Sequence, residues 1–337
     1  MGGKALTQYG VLTERKNTIS FNKIGNYIKN KLFTDLELET TVVKCYHTKA
    51  DHGDLDLLIK ITGEFNKKNI DFRSYIINTF KPNAIHYGGG VYSFDYDNFQ
   101  IDFIPIRESN WNVAQTYYSY DPLGNIMGKT YHKFNLSYGW EGLYYKFRNF
   151  NGRNSHNILI SKDPEKIFEF GDYDYNRYLN GFDNLEEIFT FVINTRYFDA
   201  DIFKMENLRH IDKKRNRKRK SYNVFLNYLK ENNITTKFGF NKDKSVYIPL
   251  IDEYFPEAEL IQKLELLEKK NAINKALSEK FNGKVVMKWL PELKGKELGN
   301  AMSRFSEFIG NDYVNFILTN NINKIKEEFI KSVYGKI

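Results

Sequence analysis

The sequence predicts an α+β protein in which a mixed β-sheet with packed helices is followed by a mostly α-helical C-terminal region. Three observations carry this. Asp54-Leu55-Asp56-Leu57-Leu58-Ile59 alternates acidic and apolar residues as a half-buried strand does. Two further strand-like runs flank Asp95-Tyr96-Asp97-Asn98, whose composition favours a tight turn. From Glu257 onward the apolar residues recur at helical spacing.

In chain order, Ser20 is expected to cap a helix in which Phe21, Ile24, Ile28 and Leu32 share one side. Residues 36–48, rich in Thr and Val, read as a strand, residues 54–61 as the acidic strand, and residues 70–81 as a helix ending before Pro82. Strands follow near 91–96 and 99–106. In the second, Phe99, Ile101 and Phe103 form one face and Asp102 projects from the other. Gly88-Gly89-Gly90 reads as a bend leading into this hairpin, or as an anion-binding backbone nest.

Residues 107–200 are dense in Tyr, Phe, Asn and Gly. Buried core aromatics explain most of them; stacking of nucleic-acid bases is the alternative. Gly-Asn-Ile-Met-Gly and Tyr-Gly-Trp-Glu-Gly suggest close backbone approaches. In the C-terminal region two successive helical segments are expected, with Ile261, Leu264 and Leu267 on the first and Ile273, Leu277 and Phe281 on the second. A later helix carries Met302, Phe305 and Ile309, and the last buries Ile322, Ile325 and Phe329. The expected division is a head over 1–106, an aromatic-rich middle over 107–256 that includes the basic segment 209–222, and a helical domain over 257–337.

The chain's 337 residues exceed one ordinary small core. A single cysteine, Cys45, excludes an intramolecular disulfide framework, and the His and Cys residues lack zinc-type spacing. A reducing cytoplasmic setting is expected, with no signal peptide and no membrane span. The net charge of +8 favours a polyanionic partner. The excess is concentrated in Lys213, Lys214, Arg215, Arg217, Lys218, Arg219 and Lys220, seven cations within eight residues. Such density repels itself unless it is solvated or met by phosphate, so these residues are candidates for nucleic-acid contact, with a solvated helix face as the alternative.

Asp54 and Asp56 point the same way from one strand, and Asp102 adds a third acid from another. Carboxylates held together repel one another unless a cation lies between them. An all-oxygen ligand set suits Mg²⁺, with Mn²⁺ as a substitute. Three strand-borne acids therefore point to two-metal phosphoryl transfer.

With Lys49-Ala50-Asp51-His52-Gly53 leading into Asp54-Leu55-Asp56 and Asp102 on a separate strand, residues 36–106 resemble the polymerase-beta-like nucleotidyltransferase superfamily. The turn and acidic strand are similar to that superfamily's family-X form. The resemblance implies a nucleotidyltransferase head in which Asp54 and Asp56 hold both metals and Asp102 completes the site of the metal that activates the attacking hydroxyl. Gly53 is part of the motif, and Lys49 is a candidate phosphate contact or an exposed turn lysine. One departure is clear. Where that superfamily places a Gly-Ser or Gly-Gly pair upstream of the acids, this chain has Val43-Lys44. Gly2-Gly3 at the N-terminus is a candidate replacement, since consecutive glycines form anion-binding nests. Arg153 and His156 are further candidates for triphosphate or base contact.

Lys296-Glu297-Leu298-Gly299, with Gly295 before it and an amphipathic helix after it, is similar to the helical tail of tRNA nucleotidyltransferases and bacterial poly(A) polymerases. The expected activity is Mg²⁺-dependent addition of a nucleotide from an NTP to a 3′-hydroxyl of RNA, of tRNA or poly(A) type. A family-X-like DNA polymerase or repair enzyme, nucleotide transfer to a protein or small molecule, and an inactive nucleic-acid-binding subunit remain the alternatives.

Overall fold

The structure, a computed structural model, describes residues 3–67 and 70–335. The chain is α+β and divides into two compact units. One comprises the residues up to Lys146 together with Asn157–Glu259; the other comprises Phe147–His156 and the chain from Leu260 onward. The expected boundary at residue 106 thus falls inside the first unit.

Five strands of the first unit form a mixed sheet in the order β2-β4-β7-β6-β5: β2 (Thr40–Val42), β4 (Asp54–Ile61), β5 (Ile85–Gly88), β6 (Val91–Tyr96) and β7 (Phe99–Arg107). Only β4 and β7 pair in parallel; the other neighbours are antiparallel. Two short strands, β1 (Lys16–Asn17) and β3 (Asp51–His52), pair beside it. A three-stranded sheet, β8 (Leu136–Gly139), β9 (Gly142–Arg148) and β10 (Asn154–Ser161), has the order β10-β9-β8.

Alternation along β4 decides what each face buries. Leu55, Leu57 and Ile59 enter a core with Phe99, Ile101 and Phe103 of β7 and Phe21, Ile24, Ile28 and Leu32 of the helix Thr18–Leu36. Each fully buried side chain of this kind contributes about 1.5–3 kcal/mol. That helix approaches closely, because a Cβ on Gly25 would already lie 3.2 Å from Leu55 Cδ1. Its cap is Asn17, whose Oδ1 accepts from Ser20 N at 2.8 Å; Ser20, the expected cap, lies inside the first turn. The helix Phe72–Phe80 covers the same face and is capped by Asp71, which accepts from the backbone N–H groups of Arg73 and Ser74.

On the opposite face, Leu58, Ile104 and Ile106 pack against Trp111 and Ala114 of the helix Trp111–Tyr118. Asp54, Asp56 and Asp102 share this face, where the apolar cover ends.

One expectation here needs correction. The strand expected over 36–48 shrinks to Thr40–Val42, because the backbone beyond it bonds to loops instead. Tyr120 N donates to Lys44 O, His47 N to Phe182 O, and Thr48 N to Asp183 O. Gly89 and Gly90, both at positive φ, form the turn between β5 and β6 and so lead, as expected, into the β6–β7 hairpin that carries Asp102. The glycine-rich loops approach backbone: a Cβ on Gly142 would lie 2.7 Å from Ser161 O. Tyr131, Phe134, Phe168, Phe170, Phe182 and Phe189 are fully buried and pack largely on other rings, so these aromatics are core.

In the second unit, the two segments expected after Glu257 are one continuous helix, Leu260–Lys280. Leu260 and Leu264 are buried, whereas Ile261 and Ile273 are exposed. The core there gathers Phe281, Val286, Ala301, Phe305, Ile317, Ile325 and Phe329. Ile322, expected inside, is 41% exposed because it begins the last helix rather than facing its neighbours. Among the described residues no helix is long and apolar enough to cross a membrane.

Candidate metal and nucleotide site

Parallel pairing of β4 with β7 sets Asp56 opposite Asp102 and Asp54 opposite Gln100. Directly paired residues of neighbouring strands share a face. One carboxylate oxygen from each of Asp54, Asp56 and Asp102 lies within 4.8 Å of the others. All three side chains are half-buried.

This proximity is electrostatically costly. Burial raises Asp56 well above the ordinary carboxylate range, and the charges of Asp54 and Asp102 push it further. Burial also pushes Asp102 up to about 6, against hydrogen bonds from Ser93 and Gln100 that pull it down. Asp54 is raised by burial too. The charges of Lys49 and Arg15 and a hydrogen bond from the Gly3 backbone oppose that shift. Three like-charged oxygen donors aimed at one point, with no nitrogen or sulfur donor among them, fit a hard divalent cation, and these three residues can hold one.

Several supporting residues escaped the sequence reading. Gln100 Nε2 donates to both oxygens of Asp102, at 3.0 and 3.1 Å, while its Oε1 accepts from Ala5 N at 3.0 Å. Gln100 stands two residues before Asp102 and so shares its face, a signal that period-two alternation contains. Ser93 is the cross-strand partner of Asp102, which only the register reveals. Asp121, in the loop after the helix Trp111–Tyr118, adds negative charge felt at Asp56.

Of the other candidate residues, Gly53 precedes β4 directly, and Lys49 is half-buried with its charge acting on both Asp54 and Asp56. Gly3 lies against Gly53: a Cβ there would fall 2.7 Å from Gly53 O, and its φ of +67° favours glycine. Thr13 Oγ1 donates to Gly3 O at 2.8 Å. Gly2 lies outside the described residues. Arg153 and His156 are exposed at the tip of the β9–β10 hairpin and belong to the second unit, whereas the three acids belong to the first.

The basic segment is not one solvated helix. It comprises the helix His210–Asn216, a break at Arg217–Arg219, and the start of the helix Lys220–Glu231. Lys214, Arg215, Arg217, Lys218 and Lys220 are exposed, while Lys213 and Arg219 are half-buried. Lys213 Nζ donates to Glu206 O at 3.0 Å, and an Arg215 guanidinium nitrogen donates to Asn125 Oδ1 at 3.2 Å. Asn125 in turn donates to Asn216 Oδ1 at 3.2 Å, which pins the segment to the helix Leu123–Lys133.

No protein-family model matches the chain, and no curated protein matches it. Among solved structures, a polymerase beta of Leishmania infantum in a ternary gap complex is similar to part of it, at 13% identity and a TM-score of 0.34. That likeness covers 40% of this chain and 52% of the polymerase chain, about half its length.

Proposed function

We propose that the chain is a divalent-metal-dependent nucleotidyltransferase of the polymerase-beta-like superfamily that adds a nucleotide from an NTP to a 3′-hydroxyl of RNA. The observation that carries this reading is the set of three carboxylates on two adjacent parallel strands, with oxygens within 4.8 Å of one another. Such an arrangement is costly without cations and suits two-metal chemistry with them. Mg²⁺, or Mn²⁺ in its place, supplies Lewis acidity at the attacking oxygen and charge neutralisation at the triphosphate.

The chain's own groups do the positioning. Asp54 and Asp56 hold the ligand point from one strand, and Asp102, clamped by Gln100, holds it from the next. Lys49 and Gly3 are the candidate contacts at the phosphate side. The 3′-hydroxyl gives up its proton to solvent, its oxygen bonds to the α-phosphorus, the bond from that phosphorus to the α,β-bridging oxygen breaks, and pyrophosphate leaves in line. The exposed Lys214, Arg215, Arg217, Lys218 and Lys220 are the polynucleotide track, and they favour a polymeric acceptor over a protein or small molecule.

The test is incubation of the full chain with labelled ATP, CTP and dNTPs on tRNA, generic RNA and primed DNA. Label on RNA 3′ ends supports the reading. Label on primed DNA from dNTPs alone replaces it with the DNA polymerase alternative, and no transfer to any acceptor overturns it.

A further inference from the structure

Arg219 differs from the rest of its basic segment. Its Nε is buried and has no hydrogen-bond partner among the described residues. It is the N-cap of the helix Lys220–Glu231, and its side chain makes no capping hydrogen bond. Other cations crowd it. The field of Arg215 acts on Arg219, and the fields of Arg215, Arg219 and Arg209 all act on Lys129, whose ammonium lies 5.1 Å from the centre of the Tyr222 ring. Burial, with those arginines, pushes Lys129 down to about 8. Two carboxylates oppose this crowding. Asp212 acts on Lys129, and Asp121, which accepts a hydrogen bond from Ser221, acts on Arg219.

Asp121 also ties this cluster to β4. Ser221 donates to Asp121, the neighbouring Tyr120 N donates to Lys44 O, and Val43 N donates to Asp56 O, so hydrogen bonds link the start of the helix Lys220–Glu231 to the strand that carries Asp54 and Asp56. A cation cluster with two half-buried members, Arg219 and Lys129, that is short of counter-charge and tied to the strand of a metal-binding point is a place where a compact polyanion relieves repulsion. The guanidinium fork matches phosphate oxygens in pairs. A polynucleotide backbone needs an extended exposed track instead, which Lys214, Arg217, Lys218 and Lys220 provide.

We propose that Arg219, with Lys129 behind it, binds the polyphosphate of the incoming nucleotide, and that the exposed cations of the same segment bind the polynucleotide. The segment thereby serves two ligands. This inference rests on the nucleotidyltransferase reading for its occupant but is tested by binding, without any transfer step.

Equilibrium binding of ATP, of pyrophosphate and of single-stranded RNA is measured for the parent, Arg219→Gln, Arg219→Lys and, as the control on the exposed track, Arg217→Gln. Thermal melting accompanies each measurement. Arg219→Gln is expected to weaken ATP and pyrophosphate binding about tenfold or more, with RNA affinity and its salt dependence unchanged. Arg219→Lys, which keeps the charge but not the fork, falls between, and it carries the test if Arg219→Gln melts early. Arg217→Gln shows the reverse pattern. The inference is overturned if the Arg219 variants bind ATP and pyrophosphate as the parent does, if they lose RNA affinity and salt dependence as Arg217→Gln does, or if the parent binds neither ATP nor pyrophosphate. A parent that binds ATP through Arg219 yet transfers no nucleotide would defeat the transferase reading alone.

Discussion

At the residue scale, the three acids are in electrostatic tension that a cation relieves, and this makes opposite predictions for stability and for activity. Replacing Asp56 by Asn removes a half-buried like charge, so the metal-free variant should melt no lower than the metal-free parent. The same change should lower nucleotide transfer on the order of 10³-fold and abolish the rise in melting temperature on adding Mg²⁺. A clear loss of metal-free stability would show that Asp56 holds the fold rather than the ligand. The pH dependence has a definite sign. Asp102 is raised to about 6 in the folded chain, so it binds a proton there more tightly than in the unfolded chain. The stability this contributes is present at low pH and is lost as pH rises from about 4 through about 6. Metal-free melting temperatures at a series of pH values should fall across that window, and saturating Mg²⁺ should flatten the fall. A metal-free curve that rises there contradicts the assignment. The acids themselves were legible because strand alternation fixes their common face. Ser93 and Asp121 were not, since they reach the site through strand register and tertiary packing that no local pattern encodes.

At the scale of elements, β4 carries the argument: one face is core and the other is the site. Leu57→Ala empties a fully buried position and should cost about 2–5 kcal/mol, read as a lower denaturation midpoint with an unchanged slope. A change below about 0.5 kcal/mol, as on a surface, would deny that this face is core. The limits of β4, and those of β6, β7 and the intervening helix to within a residue or two, follow from alternation, the Asp97-Asn98 turn and the stop at Pro82. The end of the expected 36–48 strand, beyond Val43, was misjudged because the Thr and Val content suits a strand while the hydrogen bonds there go to loops at 120 and 182–183. The basic segment was legible as charge but not as shape. It forms two helices, and Asn216, which ends the first, accepts a hydrogen bond from the sequence-distant Asn125. If its exposed members neutralise phosphates, replacing Arg217 and Lys218 together by Gln should lower the magnitude of the RNA salt slope by about 0.7–0.9 for each phosphate left unneutralised. An unchanged slope would leave them as a solvated surface.

At the scale of the whole molecule, the chain enters its second compact unit twice, once at the β9–β10 hairpin tip and again from Leu260. The tip is held within that unit by Phe150 N, which donates to Asn271 Oδ1 at 2.9 Å. Such a return cannot be read from composition, because it depends on a hydrogen bond across more than a hundred residues of sequence. Helical periodicity did mark the C-terminal unit, but it divided the helix Leu260–Lys280 into two, since Ile261 and Ile273 are apolar yet exposed. The central claim is that Asp54, Asp56 and Asp102 together support metal-dependent nucleotidyl transfer, and one measurement bears on it most directly. Labelled nucleotide incorporated at RNA 3′ ends is followed against Mg²⁺ concentration for the parent and for Asp54→Ala. The account predicts incorporation that rises with Mg²⁺ in the parent and is absent from a folded Asp54→Ala at every concentration; incorporation by that variant at a rate near the parent's would contradict it.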